Sequence, residues 1–374
     1  MADLGLHFFL GLRPTPDLDP ADRELLAAIR PAGIILFRAN FDQSAPYPIW
    51  HARLQRLLAD AKAAIGRERI LVGIDHEGGT VLRTPAPITP YSFARSWADR
   101  AGAVGGAMAA ELTSLGVNVS FSPVVDIDSN PRNPVIGPRA FATTAEGVSA
   151  AAIPFVAALQ RGGVLACPKH FPGHGDTSSD SHLSLPVLDV DRAALAAREL
   201  RPFRDVIAAG AADPASAIQL VMTAHISFPR IDPDNPATLS RTILTDILRD
   251  ELGYEGAVVT DDIGMKAISN RFDEPGTVTQ AIAAGSDLVM VCSHWSSTER
   301  TRGLLAELEQ AAGSSALPER LLDTSRARIL RLLRAAATPV PHLLPADELA
   351  AHAALAPLRT SSGAVGQTVS LEEG

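Results

Sequence analysis

The sequence predicts an α/β fold, a single-domain TIM (β/α)8 barrel, and three observations predict it. Short apolar runs of strand length alternate with longer helical patterns, eight times over. Most of the runs are continuous rather than alternating, as expected of parallel strands covered by helices on one side and packed inside on the other. The units follow at intervals of about 30–50 residues with no linker between them, which favours a barrel over a doubly wound sheet.

In chain order the predicted strands are Leu4–Leu12, Gly33–Arg38, Ile70–Asp75, Val117–Ile127, Val164–His170, Ile218–His225, Ala257–Asp261 and Leu288–Ser293. Helical patterns begin near Asp19 and Trp50. Others are ARSWADRAGAVGGAMAAELTSLG, AEGVSAAAIPFVAALQRGG, RAALAARELRPFRDVIAAG, SRTILTDILRDELG, TVTQAIAAG and TERTRGLLAELEQAAG. Several end in glycine just before the next strand, the expected helix stop. Ser240 stands where an N-cap belongs, ahead of RTILTD. A last helix, Pro318–Ala337, is expected to cap or flank the barrel. Residues 1–337 then form the barrel domain. Residues 338–374, proline-rich and then Ser/Gly-rich, form a C-terminal extension that is partly helical or disordered.

Composition narrows the function. Of 374 residues, 46% are apolar and 20% charged, a globular balance, and the net charge is −9. No basic cluster offers a face to nucleic acid, so none is expected as a partner. The two cysteines, Cys167 and Cys292, lie in apolar runs and read as buried thiols, too few for a disulfide framework or a cysteine zinc site. The apolar run Leu4–Leu12 is too short to span a bilayer and has no basic segment before it. A monomeric, cytoplasmic protein without membrane contact is expected.

In this architecture chemistry sits at the C-terminal ends of the strands. There the sequence places Arg38 and Asn40, then Asp75-His76-Glu77, Asp126 and Asp128, Lys169-His170, His225, Asp261-Asp262 and His294. Polar, mostly ionisable residues thus gather at one end of nearly every strand, as an enzyme requires. The densest stretch is KHFPGHGDTSSDSHLSLP, Lys169–Pro186. His170 and His174 are four apart, a metal spacing if helical, but Phe171-Pro172-Gly173 breaks such a helix. Asp180 and His182 are two apart, so in an extended segment they share a face and could form an acid/base dyad. A merely solvated loop is the third reading. At Asp261-Asp262 alternation sends one carboxylate into the barrel mouth, as nucleophile or ligand, and leaves the other to cap the following turn.

These residues, with GIILFRAN, GIDHEGGTVLR, IGPRAFATT, VMTAHISFP and VVTDDIGMKAI, resemble the bacterial β-N-acetylglucosaminidases of glycoside hydrolase family 3, the single-domain kind used in peptidoglycan recycling. The resemblance runs from about Gly33 to Ile268, most specifically through KHFPGHGDTSSDSH. It implies a retaining, cofactor-free and metal-free exo-glycosidase acting on an N-acetylglucosamine-containing saccharide. Asp261 matches the nucleophile, His182 the general acid/base and Asp180 its partner. Asp75, Arg83, Arg139, Lys169 and His170 match residues that bind the terminal sugar, with His225 and Met265 as supports behind them. Most retaining glycosidases use two carboxylates, so a histidine acid/base departs from that pattern. A neutral imidazole repels an anionic aglycone or acceptor less than a carboxylate does. The chain itself departs from the family pattern at His76, Thr80 and Pro138, where Gln, Arg and Asp are usual. Family members with a second, sandwich domain continue beyond the segment HAALA; that domain is not expected here. The alternatives are phosphorolysis by the same nucleophile and dyad, a β-glucosidase, and a sugar-binding protein with a decayed site.

Overall fold

The computed structural model describes residues 3–178, 185–265, 276–292 and 298–356. Its parallel strands are β1 (Phe8–Gly11), β2 (Gly33–Leu36), β3 (Leu71–Ile74), β4 (Val119–Ser120), β5 (Leu165–Ala166), β6 (Leu220–Met222), β9 (Ala257–Val259) and β10 (Val289–Val291). A small antiparallel pair, β7 (Ser227–Phe228) and β8 (Asp232–Pro236), follows β6. One six-stranded sheet runs β10-β1-β2-β3-β4-β5, and β6 pairs with β9. Parallel bridges between Phe171 and Thr223 and between Val259 and Leu288 join the two sheets at both seams and close the barrel.

The period of two in each strand splits the core into two layers. Phe9, Ile35, Leu71, Val119, Leu165, Leu220, Val259 and Met290 point inward. Their neighbours Phe8, Leu10, Ile34, Leu36, Val72, Val221, Val258 and Val289 point outward into the helical layer. Both faces are therefore apolar, which is why the strands read as continuous runs. Helix Glu319–Ala335 lies under the barrel, with Ile329, Leu332 and Leu333 packed into the inner layer, so it caps the end opposite the site. The buried Asp287 ties this floor together, accepting from Arg249 at 2.7 Å and Arg328 at 3.4 Å.

The strands are shorter than their apolar runs. Leu4–His7 forms a 3-10 turn ahead of β1, and only Val119–Ser120 of the predicted Val117–Ile127 is strand. The rest of that run is irregular backbone that carries Asp126 to the mouth. The segment read as an ordinary helix after Ser240 is a π-helix, Thr242–Glu251. Its wider bonding reaches the end, where the Leu252 amide donates to the Ile247 carbonyl at 2.9 Å. Ser240 does cap it: its Oγ accepts the Ile243 amide at 3.2 Å. Beyond the floor, helix Ala346–Ala353 packs on the flank of the barrel through Leu349. Among the described residues no helix is long and apolar enough to cross a membrane.

Candidate active site

The inward alternation that fills the barrel continues past the strand ends and delivers the site. In β3 Leu71 and Gly73 face in, so Asp75 is the next inward position. In β5 Leu165 and Cys167 face in, so Lys169 follows. In β9 Ala257 and Val259 face in, so Asp261 follows. The Lys169 ammonium lies 2.6 Å from Asp75 Oδ1 and 2.6 Å from Glu77 Oε1. Arg139 grips the same Glu77 with two bonds, Nε to Oε2 at 2.8 Å and Nη2 to Oε1 at 2.9 Å, and its Nη1 donates to the Val135 carbonyl. Two cations and two carboxylates thus form one chain, of which Asp75 is the exposed end, 18% accessible against 4% for Lys169. Burial alone would neutralise Glu77, but Arg139 and Lys169 outweigh it and hold the carboxyl well below the usual range. Burial also works against the Lys169 ammonium, and Asp75 and Glu77 reverse that and push its pKa up.

A second cluster surrounds Asp126. His170 Nδ1 lies 2.6 Å from Asp126 Oδ2, and Oδ1 accepts the His174 amide at 2.7 Å. Burial works against the Asp126 carboxylate, yet His170 and these bonds lower its pKa. His174 is buried, which together with the neighbouring His170 brings its pKa down to about 4, and its Nδ1 meets Thr177 Oγ1 at 2.8 Å. The metal reading of His170 and His174 finds no helix here: the rings stand edge to face, 5.8 Å apart, on a non-helical loop.

The loop fits because of its glycines and its asparagine clamps. A Cβ on Gly175 would sit 1.6 Å from the Ile127 carbonyl oxygen, so no side chain can stand there. Asn133 Nδ2 donates to the carbonyls of His174 and Gly175, and Asn130 Nδ2 to those of Asp176 and Thr177. Arg198 joins Asp176 to Glu199 from the helix side, and burial raises the Glu199 carboxyl to about 7 against the pull of that arginine.

Asp261 Oδ1 accepts the Asp262 amide at 2.8 Å. Asp262 turns away, as alternation requires, and its Oδ1 accepts the amides of Gly264 and Cys292. His225 stands behind this strand end: Nε2 donates to the Asp262 carbonyl at 3.0 Å, while Nδ1 meets Thr238 Oγ1 at 2.8 Å. Met265 is buried beside it, its amide on the Asp262 carbonyl. The Arg83 guanidinium lies over the Phe37 ring, 5.5 Å from its centroid. Cys167 and Cys292 form the inward layer just below the mouth. Burial keeps both thiols protonated, and both feel the charges of Asp75 and Asp261, Cys292 that of Arg83 as well. Asp75, Lys169 and Asp261 thus follow the C-terminal ends of their strands, on one end of the barrel. Asp180 and His182 lie outside the described residues.

Of the residues expected at the site, the structure brings together Asp75, Arg139 and Lys169 through Glu77. It sets His170 on Asp126 and puts Asp261 and Arg83 on the same rim. His225 and Met265 stand behind the strand end. Glu77 and Asp126 stand in the sequence as strand-end acids with no assigned task, and Asn130, Asn133 and Glu199 are site residues outside the sequence expectations. Glu77 stands two residues from Asp75 and Asp126 in the apolar run VVDI, which are usable signals, whereas Asn130, Asn133 and Glu199 carry none in the local sequence.

Comparison with known proteins agrees with the barrel fold. Residues 14–332 match the glycosyl hydrolase family 3 N-terminal domain. The chain is 39% identical over 296 residues to a beta-hexosaminidase from Alkalilimnicola ehrlichii, covering 76% of this chain and 80% of that protein. It is 34% identical over 338 residues to beta-hexosaminidase A from Pseudoalteromonas piscicida, covering 84% of this chain but 55% of that longer protein. Among solved structures it is similar to a glycoside hydrolase family 3 beta-N-acetylglucosaminidase from Paenibacillus sp. str. FPU-7. The TM-score is 0.83 and the identity 34%, covering 94% of this chain and 67% of that one.

Proposed function

The chain belongs to glycosyl hydrolase family 3, and on that premise we propose that this glycoside hydrolase is a retaining exo-β-N-acetylglucosaminidase that frees terminal N-acetylglucosamine from muropeptides. We read it as a cofactor-free, monomeric, cytoplasmic enzyme. The observation that carries the reading is Asp261 at the inward register of the β9 end, on the same mouth as the Asp75–Lys169–Glu77–Arg139 chain.

The chemistry follows from that arrangement. Asp75, with one oxygen held by Lys169, presents its other to sugar hydroxyls, while His170, oriented by Asp126, offers its remaining ring nitrogen. Binding in a preformed polar pocket positions the anomeric carbon for attack. The Asp261 carboxylate attacks that carbon and the bond to the leaving oxygen breaks. His182, paired with Asp180, gives its proton to that oxygen. Water, giving a proton back to His182, then attacks the glycosyl-enzyme and releases the sugar with its original configuration. Support for the dyad is the motif KHFPGHGDTSSDSH alone, and its neutral imidazole accommodates an anionic leaving sugar such as N-acetylmuramic acid.

The test is release of p-nitrophenol from p-nitrophenyl N-acetyl-β-glucosaminide, with and without phosphate. Release that is independent of phosphate supports the hydrolase. Release that depends on phosphate, with sugar 1-phosphate as product, replaces it with a phosphorylase. No release in either buffer contradicts the sugar assignment.

A further inference from the structure

Beyond the barrel floor the chain turns back along the flank of the molecule. The His342 amide donates to the Ser114 carbonyl at 3.1 Å and the Leu344 amide to Tyr47 Oη at 3.0 Å. Leu344, Leu349 and Ala356 are buried against the helical layer. From helix Ala346–Ala353, His352 Nδ1 comes within 3.0 Å of Glu111 Oε1. Glu111 belongs to helix Ala101–Ser114 and has no exposed surface. Among the described residues His352 is the only cation paired with it, and Glu111 Oε2 has no hydrogen-bond partner.

The same Glu111 oxygen accepts Thr89 Oγ1 at 2.5 Å and Tyr91 Oη at 3.5 Å. Both donors lie on the loop that leaves β3 with Asp75 and Glu77. The Tyr91 carbonyl accepts the Gly79 amide at 2.9 Å. Gly78, at φ +100, lies so close to the Ser92 carbonyl oxygen that a Cβ would come within 2.3 Å of it. The turn that follows Glu77 therefore rests on the Tyr91–Ser92 backbone. The Tyr91 ring meets the fully buried His76 edge to face, with centroids 6.4 Å apart.

We infer that the C-terminal segment is a working part of the sugar pocket: His352, through Glu111, is a positioning residue that holds Thr89 and Tyr91 under the Gly78–Gly79 turn and so fixes Asp75 and Glu77. The inference rests on the reading of that pocket as the sugar site. The clamp is also sensitive to pH. The groups facing His352 are Glu111 from the helix beneath it, with Tyr91 behind that carboxylate, and Glu348 one turn back at 4.0 Å. The hydrogen bond to Glu111 raises the His352 pKa above its ordinary 6.5. The ion pair is thus complete below pH 6.5 and is lost as pH rises through the raised value.

The test compares the full-length protein with His352→Ala and His352→Gln by amide hydrogen exchange and steady-state kinetics. Glutamine keeps a donor but carries no charge. In His352→Ala the amides of residues 77–92 exchange faster, while those of residues 164–170 do not. KM for p-nitrophenyl N-acetyl-β-glucosaminide rises by about threefold to tenfold with kcat within about twofold, the mark of a weakened binding contact. His352→Gln recovers part of the loss, and its KM no longer climbs with alkaline pH as the wild-type value does. Unchanged exchange in residues 77–92 overturns the clamp. Faster exchange with an unchanged KM shows that the clamp does not serve the site, and overturns the inference equally. A wild-type protein that releases no p-nitrophenol removes the enzymatic reading instead, and the exchange experiment still decides whether His352 governs the loop.

Discussion

At the scale of the residue, Glu77 is a charged hub. It is buried and neutralises two cations that share it. Removing one member of a buried ion network leaves the others uncompensated, which typically destabilises by about 3–5 kcal/mol. Glu77→Gln is expected to lower unfolding free energy by about 3 kcal/mol or more in urea titrations and to raise KM, because Asp75 then has an unbalanced Lys169–Arg139 pair behind it. A variant as stable as the wild type would show that Arg139 finds another partner. That one carboxylate of Asp261-Asp262 turns inward was legible in the sequence by alternation, while the choice of Asp261 came from the family resemblance. Glu77 was visible as a residue but not as a hub. Its partners Arg139 and Lys169 lie 62 and 92 positions away, and no local pattern encodes that meeting.

At the scale of the element, the loop after β5 explains its own motif. Gly175 presses on the Ile127 carbonyl, and Asn130 and Asn133 hold the neighbouring carbonyls. Gly175→Ala must displace the loop base, and with it the segment leading to Asp180 and His182. A loss in kcat of on the order of 100-fold is expected from misplacement of about 1 Å, with a cooperative fold retained. Near-normal kcat would detach the loop base from the chemistry. The strand centres were legible because both faces of a parallel strand are apolar. Their ends were not, because the apolar runs continue into irregular backbone that still packs, as in Phe121–Ile127. The β7–β8 pair escaped notice for the opposite reason. β8 reads Asp-Pro-Asp-Asn-Pro, a turn by composition, and pairing with Ser227–Phe228 overrides that preference. Nothing local distinguishes the π-helix Thr242–Glu251 from an ordinary one, and the structure offers no single cause for it.

At the scale of the whole molecule, the buried histidines set the acid limit of stability. Burial brings both His76 and His174 from the ordinary 6.5 to about 4, the nearby Arg83 and His170 adding to the effect. Both are neutral in the folded protein at pH 6, while the unfolded chain takes up their protons. The contribution of these two rings to stability is therefore complete above pH 6.5 and falls as pH drops toward 4, by up to about 3 kcal/mol for each histidine. Urea titrations at pH 7, 5.5 and 4.5 should show this decline, and His76→Gln should make it shallower. The same pH response in the wild type and in His76→Gln would contradict the burial of that ring. The barrel as a whole was legible in the eightfold alternation. The return of the C-terminal segment to Glu111 was not, because the sequence of that segment shows only a weak helix, and its contact is made with a residue 241 positions earlier.

The central claim is that Asp261 forms the covalent glycosyl-enzyme, and trapping tests it most directly. The protein would be incubated with a 5-fluoro glycosyl fluoride of N-acetylglucosamine, which slows release of the intermediate, then digested and analysed by mass spectrometry. The account predicts one added sugar, on the peptide containing Asp261, and its absence in Asp261→Ala, whose kcat should fall by on the order of 1,000-fold or more. An adduct on another carboxylate, or an active enzyme that accumulates none, would contradict it.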